Sequence, residues 1–398
     1  MTAITAAPAG RELGIRTLLV MAMAMPMLLL YAVSALGPQL VRDLGIAPES
    51  LGYFTVGSFG VAAVLSLRAG TLVSRVGVRY GLAMLFGSVA LTFALMASLP
   101  GFYSLLLATA LLGVAQALAN PVTNLLIAQR VASQHKAFVV GLKQSGVQLA
   151  ALFAGAVLPI CALQLGWRGA FALVVPPALM LSLLALRQIG QPAVKEAVKV
   201  AATTLNLRLG LLMAIQCCVG MALSAFITYL PLYAVSLGMA QAEASSLVAL
   251  FGVMGIVSRL VMTPLGARLR EEAFLLACLL LVSGISIAVA LQADAASSAL
   301  LWLAVTGVGL TAVATNAIAM SMLIRDGAFG SVASTSGMVS AAFFAGFAIG
   351  PASIGELARR SGSLGSAWGA LLVVLALGIV LSLLLAQLRR RRGAGVPA

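Results

Sequence analysis

Amide and hydroxyl side chains recur at helical spacing inside stretches that are otherwise apolar. In one stretch Gln116, Asn120 and Asn124 stand four residues apart, which places three amides on one face of a helix. Unpaired amides are costly in lipid, so such a face must contact protein or line a water-filled cavity. Hydrogen bonds that merely hold helices together are the alternative. The polar residues that we predict to contact a small solute are Tyr31, Gln116, Asn120, Asn124, Gln216, Tyr229, Thr315 and Asn316.

Two cations, Lys143 and Arg259, also lie within apolar stretches. A long basic side chain near a membrane surface can extend to the lipid headgroups. The other interpretation is that both face a cavity and attract an anionic group of the solute. We include both residues in the predicted substrate site.

Groups that could perform covalent or metal chemistry are scarce. All ten acidic residues fall in loops or at helix ends, the single histidine is His135, and the four cysteines show no metal-type spacing. We therefore expect no enzyme activity, no catalytic residue, no metal and no cofactor. Proton relays usually need an intramembrane acid or histidine. A coupled proton would then travel with the solute or use a group at a cavity mouth such as Asp43.

The composition indicates a membrane protein. Of 398 residues, 62% are hydrophobic and 9% are charged, whereas soluble domains carry about 25% charged residues. Twelve apolar stretches approach or exceed the roughly 20 residues that a helix needs to cross a bilayer. They lack the two-residue alternation of barrel strands. The predicted fold class is an all-α membrane protein with twelve transmembrane helices.

The net charge is +14, and the basic residues are distributed unequally between the two sides of the predicted membrane protein. Placing both termini in the cytoplasm puts twenty of the 24 cations on the inner side, as the positive-inside rule requires. The sequence thus predicts a multi-pass protein of the inner (plasma) membrane with cytoplasmic termini. The basic run 389–392 is interpreted as an anchor on anionic lipid. No nucleic-acid partner is expected.

The second half of the chain repeats the first. A shift of 193 residues lays Pro38 on Pro231, and a shift of 196 lays Asn120 on Asn316. Duplication of a helical bundle is typical of carriers whose binding site lies between two halves, so the two asparagines are predicted to face each other across a pocket. The predicted divisions are an N-terminal segment 1–16, a six-helix bundle 17–187, a cytoplasmic linker 188–208, a second six-helix bundle 209–388 and a basic tail 389–398.

The loop between the second and third stretches contains Gly70, Leu72, Arg75, Gly77 and Arg79. It resembles the G-x-L-x-D-R-x-G-R motif of the major facilitator superfamily, with serine in place of the aspartate. A fainter second copy includes Arg268, and the run 166–168 resembles the family's Gly-Trp-Arg stretch. The resemblance implies two pseudo-symmetric six-helix bundles, with the first, fourth, seventh and tenth spans around a central cavity. By the same resemblance, the residues that help to close the inner gate are Gly70, Arg75, Arg79 and Arg268.

These observations predict a secondary active transporter that moves a small solute by alternating access. Lys143 and Arg259 favour an anionic or weakly acidic solute, and Arg259 resembles an arginine of monocarboxylate-type family members. The alternative is a multidrug or metabolite exporter with a permissive apolar pocket, which the 16 methionines favour. A membrane-embedded enzyme or a sensor is the more distant interpretation. The expected partners are the small-molecule substrate and the lipid bilayer, and the expected state is a monomer.

Overall fold

The protein, seen in a computed structural model, consists of helices joined by short connections in the part of the chain that the structure describes. This part comprises residues 9–131, 136–190, 205–268, 271–330 and 332–393. No strand occurs in it. The helices are α1 (Ala9–Ala35), α2 (Gly37–Leu44), α3 (Gly52–Ser98), α4 (Phe102–Arg130), α5 (Lys136–Ala156), α6 (Leu158–Ala172), α7 (Val175–Gln188), α8 (Leu207–Ser236), α9 (Gln241–Arg268), α10 (Glu272–Ala290), α11 (Ala299–Arg325), α12 (Val332–Ser361) and α13 (Leu364–Gly393).

Ten helical segments of the described chain are long and apolar enough to cross a membrane. One of them, Pro48–Ser98, contains two crossings because α3 is interrupted at Gly77, whose φ is 76°. The backbone on either side of Gly77 packs on α4: Gly57 lies against Leu106, and Gly81 against Val122. If α3 were straight, Gly57 and Gly81 would lie about 36 Å apart, but their contacts Leu106 and Val122 lie only about 24 Å apart along α4. The chain must therefore reverse its direction between the two glycines.

A second interruption lies inside α6, at Gly166, whose φ is 68°. The fifth crossing therefore runs through α5 into the first half of α6, and the sixth comprises the rest of α6 with α7. Both turns use glycine because positive φ is strained for residues with a Cβ. With α1, α4 and α8 to α13, these segments make the twelve predicted crossings, and the predicted fold class is confirmed.

The two ends of the described chain lie on the same side of the helices, which we call the terminal face; the other side is the opposite face. The first helix begins at Ala9, eight residues before the predicted start of the first bundle. The predicted linker 188–208 lies between the end of α7 and the start of α8, and its residues 191–204 lie outside the described residues. Helices α1 to α7 form one half and α8 to α13 the other.

The halves meet along two lateral interfaces, α5 with α9 and α3 with α12. Glycines allow the backbones to touch there. A Cβ on Gly155 would lie 2.7 Å from the carbonyl oxygen of Ser245, and a Cβ on Gly52 would lie 2.6 Å from that of Pro351. Both contacts lie toward the opposite face, where the halves are pressed together.

The Gly-Trp-Arg run fastens the sixth crossing to the end of the third. The Arg168 guanidinium donates to the carbonyl oxygens of Leu99 at 2.8 Å and Ala97 at 3.3 Å, and it stacks 4.3 Å from the ring centre of Trp167. The last carbonyl groups of a helix lack hydrogen-bond donors within the helix. The Arg168 guanidinium supplies donors to these carbonyls at the end of α3. Its role in this structure is to cap α3.

The first arginine of the predicted lipid anchor has partners within the protein. Arg389 pairs with Glu272 at 3.1 Å and with Asp326 at 3.4 Å, and Arg325 pairs with the same Glu272 at 2.8 Å. The Glu272 side chain is only 3% exposed, so these arginines neutralise a buried acid. The pairs join the terminal-face ends of α10, α11 and α13. Residues 394–398 of the predicted tail lie outside the described residues.

Candidate functional site

A cavity lies between the two halves near the middle of the bundle. It has about 680 Å³ of empty space, counting its open mouth. Helices from both halves line it: α1, α4 and α5 on one side and α8, α9, α11 and α12 on the other. Of the ten residues predicted to bind substrate, those that line it are Tyr31, Gln116, Asn120, Arg259 and Asn316.

The amide stripe of α4 runs from the floor of the cavity toward the terminal face. Gln116 is buried, Asn120 is half-buried and Asn124 is exposed. Increasing exposure along one face indicates that the cavity opens toward the terminal face. The Gln116 amide donates to the carbonyl oxygen of Pro26 at 2.9 Å, so this residue both lines the cavity and ties α4 to α1.

Lys143 does not line the cavity. Its side chain is fully enclosed, and its Nζ donates to Asn124 Oδ1 at 2.6 Å, Thr123 Oγ1 at 2.9 Å and Asn120 Oδ1 at 3.4 Å. An ammonium has three donors, and here all three go to neutral oxygens of α4. Lys143 therefore neither extends to the headgroups nor contacts the cavity directly. It orients Asn120, which lines the cavity, and Asn124, which does not.

Arg259 projects from α9 toward the other half. Its Nη1 donates to Gln144 Oε1 at 2.7 Å, while its Nε is buried and has no hydrogen-bond partner within the described residues. Gln144 Nε2 in turn donates to Asn120 Oδ1 at 3.4 Å. A chain of polar contacts thus runs from Arg259 through Gln144 to Asn120 and Lys143. Arg259 is the one charged residue that lines this cavity in the described part of the chain.

In the second half the polar residues mostly bind one another. Asn316 Nδ2 donates to Gln216 Oε1 at 3.2 Å, and Gln216 Nε2 donates to the carbonyl oxygen of Thr315 at 3.5 Å. Gln216 and Thr315 are completely buried, and of the three only Asn316 reaches the cavity. The two bonds join α8 to α11 and fix the orientation of Asn316.

The two predicted tyrosines lie in different places. Tyr31 lines the cavity and packs against Phe251, with ring centres 6.2 Å apart. Tyr229 lies nearer the opposite face, and its hydroxyl is within hydrogen-bond distance of two carbonyl oxygens, that of Glu49 at 2.7 Å and that of Pro351 at 2.9 Å. Tyr229 therefore lies outside the cavity, at the contact between the halves near the opposite face. We call this contact the seam.

Further hydrogen bonds close the same seam on the opposite face. The Ser34 hydroxyl donates to the carbonyl oxygen of Ile227, and the Ser245 hydroxyl donates to that of Ala35 at 2.9 Å. Ser34 and Ile227 are 193 residues apart, which is the displacement of the internal repeat. The contact thus lies where equivalent positions of α1 and α8 cross. These buried bonds hold the opposite face shut.

Three of the four predicted gate residues lie around the turn between the second and third crossings. Gly70 and Arg75 are exposed and Arg79 is half-buried, with its Nε buried and without a hydrogen-bond partner within the described residues. Of Arg268 only the helical backbone is described, and its side chain lies outside the described set. The gate assignment stays a prediction.

Sequence reasoning did not select the apolar wall of the cavity. The wall consists of methionines from α1 and phenylalanines from α12: Met23, Met27, Phe343, Phe344 and Phe347. Two amides of α5, Gln144 and Gln148, also line the cavity and were not selected either. The two glutamines carried a signal, because they lie four residues apart and follow directly after Lys143. The phenylalanines carried none, since apolar residues on a membrane helix face lipid as readily as a cavity.

Comparisons with known proteins agree with this architecture. The sequence model of the Major Facilitator Superfamily matches residues 17–351. No curated protein matches the chain by sequence. Among solved structures, a bacterial homologue of the human lysosomal transporter Spinster, in an inward-facing and occupied conformation, aligns with a TM-score of 0.73. The alignment covers 96% of this chain and 98% of that chain, at 14% identity.

Proposed function

The chain belongs to the Major Facilitator Superfamily and is a membrane transporter rather than an enzyme. On this premise we propose that it is a secondary active transporter of small anionic or weakly acidic solutes. One observation carries the proposal. Arg259 is the only charged residue lining the central cavity within the described chain, and its Nε lacks a partner. An anionic solute would supply the negative charge that balances Arg259 and the hydrogen-bond acceptor that its Nε lacks.

Electrostatics supports an anion over a cation. Arg259 and the buried Lys143 contact neutral oxygens in this structure, so their charges reinforce each other near the cavity. A cation at the centre of a membrane helix costs roughly 2.5 to 3.5 kcal/mol on insertion scales. A bound anion would offset part of this cost, whereas a cationic solute would add to it. Asn120 and Asn316 would bind the solute's polar groups from either side.

Alternating access is the transport mechanism that we propose. The seam bonds of Ser34, Tyr229 and Ser245 would break as the opposite face opens, while the mouth near Asn124 closes. The exposed Gly70 and Arg75, with Arg79 and Arg268, are assigned to the terminal-face gate of that second conformation. Because the halves are related by the repeat, one movement of the two rigid halves can produce both changes.

From the charge distribution we propose that the terminal face lies in the cytoplasm of a cell with this protein in its inner (plasma) membrane. The mouth of the cavity would then face the cytoplasm in this conformation. Within the described chain no carboxylate lines the cavity. If transport is coupled to protons, we propose that the proton travels on the weakly acidic solute, with Asp43 at the opposite face as the alternative carrier.

A permissive exporter is the second candidate, and the apolar wall of the cavity favours it. Met23 and Met27 have flexible side chains that adapt to varied ligands, and three phenylalanines adjoin them. Such a transporter would accept unrelated apolar compounds of either charge. Discrimination against cations therefore separates the two candidates.

The proposal is tested by transport into proteoliposomes containing purified protein. We expect saturable uptake of radiolabelled monocarboxylates and no uptake of amines of equal size. Arg259→Gln should lower kcat/KM by at least 10-fold, since charged hydrogen bonds contribute about 1.5 to 3 kcal/mol. Arg68→Gln is the matched control, because Arg68 is exposed outside the cavity. Equal transport of acids and amines, with Arg259→Gln behaving like the control, would overturn the proposal.

A further inference from the structure

We infer that the substrate is an aromatic monoanion, with its acidic group at Arg259 and its ring against the phenylalanines of α12. This inference rests on the proposed function and narrows its substrate class. The cavity has two chemically different ends. A guanidinium and amides form one end, and rings form the other.

The charged end accommodates one negative charge. Arg259 donates through Nη1 to Gln144, and its buried Nε has no hydrogen-bond partner among the residues that the structure describes. The neighbouring Gln148 is 2% exposed and lines the cavity, and its Oε1 has no hydrogen-bond donor within the described chain. Because this oxygen is an acceptor, it cannot bind a second negative charge. Lys143 cannot serve as a second cation at the surface, because it is 1% exposed and saturated by α4. A second negative charge on the solute would thus lie buried without a partner, which is costly.

The apolar end is formed by aromatic rings. Phe343 and Phe347 have ring centres 4.6 Å apart, and Phe59 of the other half lies 4.8 Å from Phe347 and 5.8 Å from Phe344. Phe343 is only half-buried, so part of its ring is free to contact a solute. Aromatic rings in proteins associate at such centre distances, in offset or edge-to-face arrangements.

The two ends lie at different interfaces between the halves. Arg259 meets Gln144 where α9 packs on α5, whereas Phe59 meets Phe347 where α3 packs on α12. Met27 of α1 and Asn316 of α11 also line the cavity. An inorganic anion or a short aliphatic acid would occupy only the charged end and leave the rings unused. A ligand with an acidic head and an aromatic body contacts both ends at once.

The binding test measures affinities of purified protein by calorimetry for three probes: phenylacetate, acetate and benzyl alcohol. We expect phenylacetate to bind at least 10-fold more tightly than either of the others. Phe344→Leu and Phe343→Leu, which keep an apolar side chain, should each weaken phenylacetate on the order of 2- to 10-fold and leave acetate unchanged. Phe274→Leu is the control, because Phe274 is exposed on the outside of the bundle.

The outcomes separate the inference from the proposed function. If acetate binds as tightly as phenylacetate, or if both phenylalanine variants leave phenylacetate unchanged while their thermal unfolding matches that of the parent protein, the aromatic assignment is overturned and anion binding stands. If benzyl alcohol binds as tightly as phenylacetate, charge plays no part. The inference and the anionic function then fail together.

Discussion

A glycine at the α5–α9 interface lets the halves pack together on the opposite face, and replacing it should shift the protein toward the second conformation that we propose. A Cβ at Gly155 would overlap the backbone nitrogen of Ala249 and lie 2.7 Å from the carbonyl oxygen of Ser245. Those atoms belong to a backbone and cannot rotate away. Since carbon contacts are optimal at about 3.5 to 4.0 Å, the helices must separate by about 1 Å.

The magnitude follows from the cost of overpacking. Extra methyl groups in a packed interface cost about 1 to 3 kcal/mol. Gly155→Ala imposes this cost only while the halves are pressed together on the opposite face. A differential cost of that size changes the ratio of the two conformations by about 5- to 150-fold.

Thiol labelling measures this shift. The reporter is Ser34→Cys, because the Ser34 side chain contacts α8 across the seam, in a background in which the four native cysteines are replaced by serine or alanine. A membrane-impermeant maleimide applied from the opposite face should label the reporter about 5- to 150-fold faster when Gly155→Ala is present.

Gly350→Ala is the matched control. A Cβ there would lie 2.6 Å from the Cα of Met221, a similarly close approach, but α12 and α8 belong to the same half. It should lower the thermal unfolding temperature without accelerating labelling. Equal labelling rates in the two variants would refute the conclusion that Gly155 contributes to a closed gate.

Three further predictions concern the seam, the buried lysine and the α3 cap. Tyr229→Phe removes a hydroxyl that bridges the halves, and by the loss of about 0.5 to 1.5 kcal/mol it should accelerate the same labelling about 2- to 10-fold; unchanged labelling would contradict its place in the gate. Lys143→Met leaves three oxygens of α4 without their donor, and calorimetry should show anion affinity lowered on the order of 10-fold although Arg259 is intact; unaltered affinity would show that the lysine does not organise the site. Arg168→Ala frees the carbonyls at the end of α3 and should lower the free energy of unfolding by about 1 to 3 kcal/mol, measured by denaturation in detergent, while KM for the solute stays constant; a changed KM at full stability would contradict a purely structural role.

Much of the fold and part of the site were predictable from local pattern. Length and hydropathy predicted the crossings, and the repeat predicted two halves. Four-residue spacing placed Gln116, Asn120 and Asn124 on one face of α4; the first two line the cavity, and Asn124 is exposed beyond it. Three more predicted residues, Tyr31, Arg259 and Asn316, line the same cavity.

The remaining assignments depended on which neighbour covers each helix face. Gln216 and Thr315 have the same residue types as the cavity amides, yet they are completely buried within one half. Tyr229 lies at the contact between the halves because it stands nearly two helical turns beyond Leu223, the α8 residue that lines the cavity, where α8 meets the other half. In lipid, hydropathy does not distinguish a face covered by protein from one covered by acyl chains, so no sequence pattern could separate these cases.

Residue order alone was therefore sufficient for properties that each segment has by itself: its length, its apolarity, its amide stripe and its duplicate 193 to 196 residues later. Packing of the halves decided the rest. It placed Lys143 against the oxygens of α4 rather than at the headgroups, and it put three phenylalanines opposite a lone guanidinium. The residues in these pairings lie on different helices, 19 positions apart for Lys143 and Asn124 and more than eighty for Arg259 and the phenylalanines. The rotation and tilt of each helix, which no local period specifies, determine which of them meet.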